Sequence, residues 1–437
     1  MKRRAIFGLV LIALLVNLAV GAKIYLAATR TTTNQDNATA NLALFNEAIQ
    51  KIRSEYVDGK DLTYQQLVYS ALKGAVSKLD PHSEFLDADS FQQLQDDTEG
   101  QFGGLGLVVG LKDGYITVIS PMDDTPGFRA GILAGDRIVK VEGKSVLKQS
   151  LSDVVKMLRG APGSEVALTI ERPATGETET FKLTRAVIQM TMVKDINGKK
   201  DFPLGADKIG YVHITQFGDN TANELEAALV RLKEQGMKGL ILDLRWNPGG
   251  LLDQAVGVCE KFLPNGQLIV STEGRHTLDK YFARGGGDEL KGVPIVVLVN
   301  LGTASAAEIV SGCLQDLHRA VVLGEKTFGK GSVQTIFPMD DGSALKLTVA
   351  KYYTPSHKVI HEHGITPDIL VPLSDQDEAA LLLKRSPGGV EALPEKSRAL
   401  VSSVHDVQME RAVDLLKGLI LYHQMTAKTK PAQMAVK

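Results

Sequence analysis

The sequence predicts a mixed α/β fold with a β-rich module placed ahead of its central layer, and three observations carry that expectation. Buried-strand runs alternate with helical patterns from about residue 209 to residue 323. Glycines crowd a stretch of short β-rich runs between Gly100 and Ala186. Amphipathic helical patterns stand at both ends.

Length and composition bound the function. The chain has 437 residues, room for about three domains. Its 49 basic and 51 acidic side chains leave a formal charge of −2. That balance argues against a nucleic-acid binder held by a basic face. Two cysteines cannot make a disulfide framework. The 42 glycines exceed the usual share of roughly 7%. They are too aperiodic for collagen and point to sharp turns or close backbone approaches.

Lys2, Arg3 and Arg4 precede an apolar run from Ala5 to Ala22 broken only by Asn17. That is the order of a targeting segment, and Val20-Gly21-Ala22 supplies small residues for cleavage. Eighteen helical residues span about 27 Å, against roughly 30 Å of hydrocarbon. Ile24 to Ala28 is apolar again. Two readings of residues 1–28 stand, a signal peptide and an N-terminal membrane anchor, and both export the remainder. Thr29–Ala40 lacks apolar periodicity and reads as a linker.

Leu42, Phe45, Ile49, Ile52 and Tyr56 share one helical face. Leu67, Ala71, Ala75 and Leu79 mark a second helix, ended by Asp80-Pro81. Residues 41–98 thus form an N-terminal helical segment. Residues 99–187 are the glycine-dense module, with strands expected at Leu105–Val109, Ile116–Ile119, Arg137–Val141 and Val166–Ile170 and a helix at Ser152–Leu158. Residues 188–374 are the α/β layer. Its strands are expected at Ile209–Ile214, Leu240–Leu244, Val293–Val299 and Ala320–Leu323, with helices at Thr221–Glu234 and about Ala304–Leu317. Gly331–Phe337 and Ala344–Tyr353 have no helix between them, so the sheet is expected to turn antiparallel there. Residues 375–437 end in an amphipathic helix marked by Met409, Ala412, Leu416 and Leu419.

Several motifs fail on inspection. Gly324 to Lys330 matches most of a nucleotide P-loop, but Gly331 replaces the hydroxyl residue and a strand pattern follows. Gly104-Leu-Gly106 begins a dinucleotide fingerprint, but Val109 stands at its third glycine. His361 and His363 lack a third metal ligand at a recognisable spacing. Cys259 and Cys313 sit on apolar helical faces as buried thiols.

Three loops carry chemistry. Asn300 to Glu308 follows a buried strand and places Ser305 at the start of a helix. A serine there is commonly an N-cap. As a nucleophile it would have free amides and a helix dipole beside a developing oxyanion. Asp243-Leu-Arg-Trp-Asn-Pro-Gly249-Gly250 follows another buried strand, and strand ends on one edge of a parallel sheet bring their loops together. Thr327 to Gln334 carries Lys330 between glycines. A lysine drawn inside would be a neutral base, whereas most lysines are simply exposed.

The ordered set N-P-G-G, T-A-S-A-A-E-I and F-G-K-G-x-V-Q resembles the carboxyl-terminal processing peptidases, or tail-specific proteases. Asp80-Pro-His-Ser83, Ile209-Gly-Tyr-Val, Tyr353-Thr-Pro-Ser356 and Gly364-Ile-Thr-Pro-Asp368 extend the resemblance over nearly the whole chain after the linker. It implies a ClpP/crotonase-like serine peptidase core interrupted by a PDZ domain. It places the catalytic serine on Ser305, the lysine on Lys330, a supporting glutamine on Gln334 and the oxyanion amides on Gly250 and Ala306. Ala307 stands where many relatives have a second serine, and His357 where many have glycine.

Gly104, Leu105, Gly106 and Leu107 resemble the carboxylate-binding loop of a PDZ domain, whose amides capture a peptide C-terminus while the peptide adds as a strand. Arg159 lies where relatives place an arginine linked to substrate sensing. The resemblance thus implies a serine endopeptidase of the cell envelope, periplasmic or extracytoplasmic, that needs no cofactor or metal. It would act on protein substrates with accessible apolar C-termini. An uncleaved N-terminus would hold it to the inner membrane, with homodimerisation through terminal helices and adaptor proteins as further partners and no nucleic acid. The competing reading is a catalytically silent PDZ-bearing envelope scaffold or chaperone.

Overall fold

The computed structural model describes residues 20, 23, 37–112, 114–122, 124–173, 175–275, 277–285, 290–385, 390 and 395–429. Apart from residues 20 and 23, the targeting segment expected over 1–28 lies outside the described residues, as does most of the linker. The chain forms two compact units, one up to Phe85 and one from Leu86.

In the first unit, helix α1 (Ala38–Glu55) starts where the Asn37 side chain accepts hydrogen bonds from the amides of Thr39 and Ala40. Helix α2 (Tyr64–Val76) starts with a capping box between Thr63 and Gln66. The apolar face of α1 is mostly exposed. Ile49 is buried, whereas Leu42, Phe45, Ile52 and Tyr56 are not. Helix α2 stops at Val76, short of Asp80-Pro81, and Asp80 Oδ1 accepts the amides of His82 and Ser83.

The second unit opens with α3 (Ala88–Glu99), a helix with no buried residue and so no apolar stripe to announce it. The glycine-dense module follows. Strand β1 (Gln101–Gly104) is followed by β2 (Leu107–Lys112), β3 (Tyr115–Pro121) and β4 (Arg137–Val141). Helix α4 (Leu151–Leu158), β5 (Glu165–Arg172), β6 (Glu177–Thr184) and β7 (Ala186–Gln189) complete it. Strands β2-β3-β4-β5-β6 form an antiparallel sheet in that order, and β1 pairs with β7. The expected strand Leu105–Val109 is broken. Leu105 and Gly106 form a loop, with Gly106 at φ 69°, and the strand begins at Leu107. Val118, Ile138, Val154, Leu168 and Ile170 fill a small core of the module's own.

The α/β layer is built from β8 (Val193–Lys194), β9 (Ile209–Ile214), α5 (Thr221–Glu234), β10 (Gly239–Asp243) and α6 (Leu252–Glu260). It continues through β11 (Leu268–Gly274), β12 (Leu278–Phe282), β13 (Ile295–Val299), α7 (Ala306–Asp316) and β14 (Val321–Gly324). Strands β15 (Ser332–Pro338), β16 (Ala344–Tyr353) and β17 (Ile369–Leu370) close it. The main sheet runs β8-β9-β10-β13-β14-β17. It is parallel except where β8 meets β9. Every residue of β10 and β13 is buried, as a strand covered on both faces requires. Leu240, Leu242, Val297 and Val299 face α5, α6 and α7 through Leu225, Val258, Ile309 and Val310. Ile241, Val296 and Leu298 face the other way, toward Ala412 and Leu416.

Those last two residues belong to the C-terminal segment, which comprises α8 (Asp375–Arg385), α9 (Glu395–Ser403) and α10 (Val407–Thr429). The main sheet does not turn antiparallel at residue 331 as expected. Strands β15 and β16 instead pair with each other and join β11 and β12 in a second sheet, in the order β12-β11-β16-β15. The hairpin β11–β12 supplies the edge on which β16 pairs.

Candidate active site

Register sets the site. Asp243 lies opposite Leu298, and Val299 lies opposite Gly324. The loops after β10, β13 and β14 therefore leave the sheet on one edge. They are the three loops that carry the sequence motifs.

Ser305 sits where β13 turns into α7, at φ 54° and ψ −117°, with 7% of its surface exposed. A non-glycine residue at such angles persists only where its surroundings hold it. Gly249 packs beneath it so closely that a Cβ there would stand 2.6 Å from the Ser305 Cβ. Gly250 is at φ 141°, and a Cβ there would meet the Phe217 carbonyl oxygen at 2.2 Å. These glycines let two backbones meet where any side chain would separate them. The amides of Gly250 and Ala306 find no acceptor among the described residues. Two such donors beside a serine are the elements of an oxyanion site.

Glu308, fully buried on the first turn of α7, binds these parts together. Its Oε2 accepts from the Ser305 amide at 2.8 Å and the Lys330 amide at 2.9 Å. Its Oε1 accepts from the Gly329 amide at 2.7 Å and the Thr327 hydroxyl at 2.5 Å. Burial pushes the Glu308 carboxyl up, against the pull of these four hydrogen bonds. Burial lowers the Lys330 amine, Lys346 lowers it further, and Glu308 opposes both. Gly329 at φ 91° and Gly331, where a Cβ would meet the His361 amide nitrogen at 2.1 Å, let the lysine loop enter the interior.

The structure brings the Ser305 and Lys330 loops together through Glu308. No hydrogen bond joins Ser305 Oγ to Lys330 Nζ among the described residues, and catalytic bonds of this kind often tighten only with substrate bound. Gln334 is placed elsewhere. Its Nε2 donates to the hydroxyls of Ser332 at 2.8 Å and Thr348 at 3.4 Å. Cys259 and Cys313 are free and buried. His357 adopts φ 62°, a glycine-favouring angle, and its Nε2 lies 2.7 Å from Glu273.

The Gly104–Leu107 loop lines a cavity of about 390 Å³ with Val109, Val155 and Leu158 of the module. Met190, Met192, Lys194, Thr215 and Gln216 of the α/β layer line its other side. The amides of Leu105 and Gly106, two buried residues, find no acceptor among the described residues. Arg159 also lines this cavity, with its guanidinium 4.5 Å from the Phe102 ring and 3.5 Å from Asp97. Its Nη1 is buried with no partner among the described residues.

Sequence reasoning missed Glu308 and a buried charge cluster. Only the S-x-x-E spacing of a capping box hinted at Glu308. Arg245, fully buried, bonds Asp243 at 2.7 Å and Asp406 at 2.9 Å. Arg385 adds bonds to the same two carboxylates at 2.9 and 3.3 Å. Burial pushes the Asp243 carboxyl up, but Arg245 and Arg385 outweigh it and hold it well below the usual range. Asp406 and Arg385 lie more than a hundred residues downstream, so no local pattern pairs them with Arg245.

The family model for peptidase family S41 matches residues 208–371, and that for a PDZ domain matches residues 117–172. The carboxy-terminal-processing protease of Bartonella bacilliformis is 40% identical over 91% of this chain and 93% of its own length. The carboxy-terminal processing protease CtpA of Bacillus subtilis is 36% identical over 86% of this chain and 79% of its own. Among solved structures, the photosystem II D1 C-terminal processing protease is 32% identical. It covers 79% of this chain and 97% of its own, at a TM-score of 0.43. With a mixed α/β peptidase region, a PDZ module and helical segments at both ends, the chain belongs to the carboxy-terminal-processing serine proteases of peptidase family S41.

Proposed function

We propose that this peptidase works in the cell envelope, binds protein C-termini through its PDZ module and cuts with a Ser-Lys dyad. The observation that carries the dyad is the shared oxygen of Glu308, which holds the Ser305 and Lys330 amides at 2.8 and 2.9 Å. Ser305 Oγ attacks the scissile carbonyl while the neutral Lys330 amine takes its proton. The amides of Gly250 and Ala306 receive the oxyanion. Lys330 then protonates the leaving amine and activates the deacylating water. Gln334 orients the lysine after turning away from Ser332.

The free amides of Leu105 and Gly106, above an apolar floor of Leu107, Val109 and Leu158, favour a carboxylate followed by an apolar side chain. Arg159, with an unpartnered nitrogen at the same cavity, senses the bound tail. The basic-then-apolar N-terminus supports export, with an inner-membrane tether if it stays uncut. The exposed apolar face of α1 supports pairing with a second copy.

The test is cleavage of an unfolded protein ending in an apolar residue, offered with a free or an amidated C-terminus. The free tail should be cut several-fold faster, and Ser305→Ala should abolish cutting of both. Equal rates for the two tails would remove C-terminal recognition from the account, and an active Ser305→Ala protein would remove the dyad.

A further inference from the structure

Helix α8 of the C-terminal segment reaches the loops of the active site with two side chains of one face, Glu378 and Arg385, spaced two turns apart. Glu378 Oε1 accepts from two donors on different loops, Trp246 Nε1 at 3.1 Å and Asn300 Nδ2 at 2.7 Å. Asn300 Oδ1 in turn accepts from the amides of Trp246 at 2.9 Å and Gly302 at 3.1 Å. The guanidinium groups of Arg385 and Arg245 stand 5.0 and 5.3 Å from the Trp246 ring. Its backbone is at φ 57°, outside the ordinary range for its type. Gly302 passes so close that a Cβ there would stand 2.9 Å from the Trp246 Cα.

These contacts lead directly to the oxyanion amides. Trp246 precedes Gly250 by four residues, and Asn300 precedes Ala306 by six. Between them the Asn247 carbonyl accepts the Ala304 amide at 2.9 Å, while Asn247 Oδ1 accepts the Gly249 amide at 2.9 Å. The spacing of the Gly250 and Ala306 amides therefore depends on how the Trp246 and Asn300 loops are fastened to each other. Beyond Asn300 itself, the carboxylate that fastens both comes from the C-terminal segment.

We propose that Glu378 is a positioning residue for the oxyanion site, locking Trp246 to Asn300 through one carboxylate oxygen. The inference rests on the reading of Ser305 as nucleophile with Gly250 and Ala306 as oxyanion donors. It assigns the C-terminal segment a part in catalysis, since α8 touches no reacting atom yet sets the distance between two groups that do. A carboxylate suits the task, because charge-assisted bonds to an indole and an amide are stronger and shorter than neutral ones.

The test compares Glu378→Ala and Glu378→Gln with the parent in peptide hydrolysis, binding of a peptide aldehyde and intrinsic fluorescence. The hemiacetal of the aldehyde needs the same two amides, and Trp246 is the only tryptophan in the chain. Glu378→Ala should lower kcat by about ten- to a hundredfold, less than the 10²–10³ of losing a donor outright. KM should stay within about twofold, aldehyde affinity should fall with kcat, and Trp246 emission should shift. Glu378→Gln keeps an acceptor oxygen and should recover most of kcat. If Glu378→Ala does not fold, Trp246→Phe, which removes only the indole donor, must lower kcat with KM retained. Unchanged kcat, or a loss that Glu378→Gln does not relieve and that falls equally on kcat and KM, overturns the proposal. With Ser305→Ala inert in the same assay, that failure belongs to Glu378 alone. An active Ser305→Ala protein overturns both the inference and the reading beneath it.

Discussion

The backbone amides of Ser305 and Lys330, 25 residues apart in sequence, donate to the same oxygen of Glu308 at 2.8 and 2.9 Å. One buried carboxylate thus fixes the start of the serine helix and the lysine loop against each other, and two hydrogen bonds to Gly329 and Thr327 complete its shell.

Removing that carboxylate leaves several buried donors without an acceptor, at about 1–3 kcal/mol each before relaxation. Glu308→Ala should therefore lose stability on the order of 3 kcal/mol and nearly all activity. Glu308→Gln, which keeps one acceptor oxygen, should lie between it and the parent. Urea unfolding paired with kcat measurement checks both, and a fully active Glu308→Ala protein would contradict the clamp.

The lowered Lys330 amine gives a pH prediction with a definite sign. Burial is the main cause and Lys346 the second. The neutral, active form is favoured above the folded pKa, so activity should rise with pH on the acid side. Lys346→Gln removes a like charge and should raise the Lys330 pKa, moving that limb toward higher pH. A limb that moves the other way, or no limb at all, would count against Lys330 as base.

Gly250→Ala should keep the fold but lose activity. Its Cβ would meet the Phe217 carbonyl oxygen at 2.2 Å, so the loop must shift and take the oxyanion amide with it. The loss of one such donor costs about 10²–10³ in kcat. Normal kcat in a folded Gly250→Ala protein would move the oxyanion site elsewhere.

Much of this arrangement was legible in sequence, and the limits are physical. Continuous apolar runs marked β10 and β13 because both faces of each are covered, and the motif loops follow those strands directly. The break at Leu105–Gly106 was hidden because the run stays apolar while the backbone turns at Gly106. The second sheet was hidden because β15 and β16 look the same in sequence whichever sheet they join. Glu308 was hidden because the S-x-x-E spacing marks many helix starts and says nothing of a loop 21 residues further on. Glu378, Arg385 and Asp406 lie far along the chain from the loops they hold, and such contacts leave no spacing to read.

The Asp243–Arg245 pair sets an acid limit on stability. Asp243 is held well below the usual carboxylate range, so its contribution is present above about pH 4 and is lost as pH falls through the folded value. Asp243→Asn or Asp406→Ala leaves Arg245 short of a partner in the interior, at a cost of about 3–5 kcal/mol for a buried pair broken on one side. Thermal unfolding between pH 3 and 7 checks this, and a variant with parental stability and the same pH slope would show the cluster to be idle.

In the PDZ module, a Cβ on Gly106 would stand 2.2 Å from the Thr125 Cβ, at a φ of 69° that disfavours any side chain. Gly106→Ala should distort the loop and weaken binding of a free apolar tail at least tenfold, while an amidated tail binds no worse than before. Fluorescence polarisation with the two peptides checks it. Equal loss for both tails would mean that the loop does not read the carboxylate.

The most direct measurement of the central claim is cleavage of an unfolded protein by residues 31–437 beside its Ser305→Ala and Lys330→Met versions, with each shown to be folded. The account predicts steady cleavage by the parent and none above background by either variant. Undiminished cleavage by Lys330→Met, or by Ser305→Ala, would contradict a Ser-Lys dyad at this site.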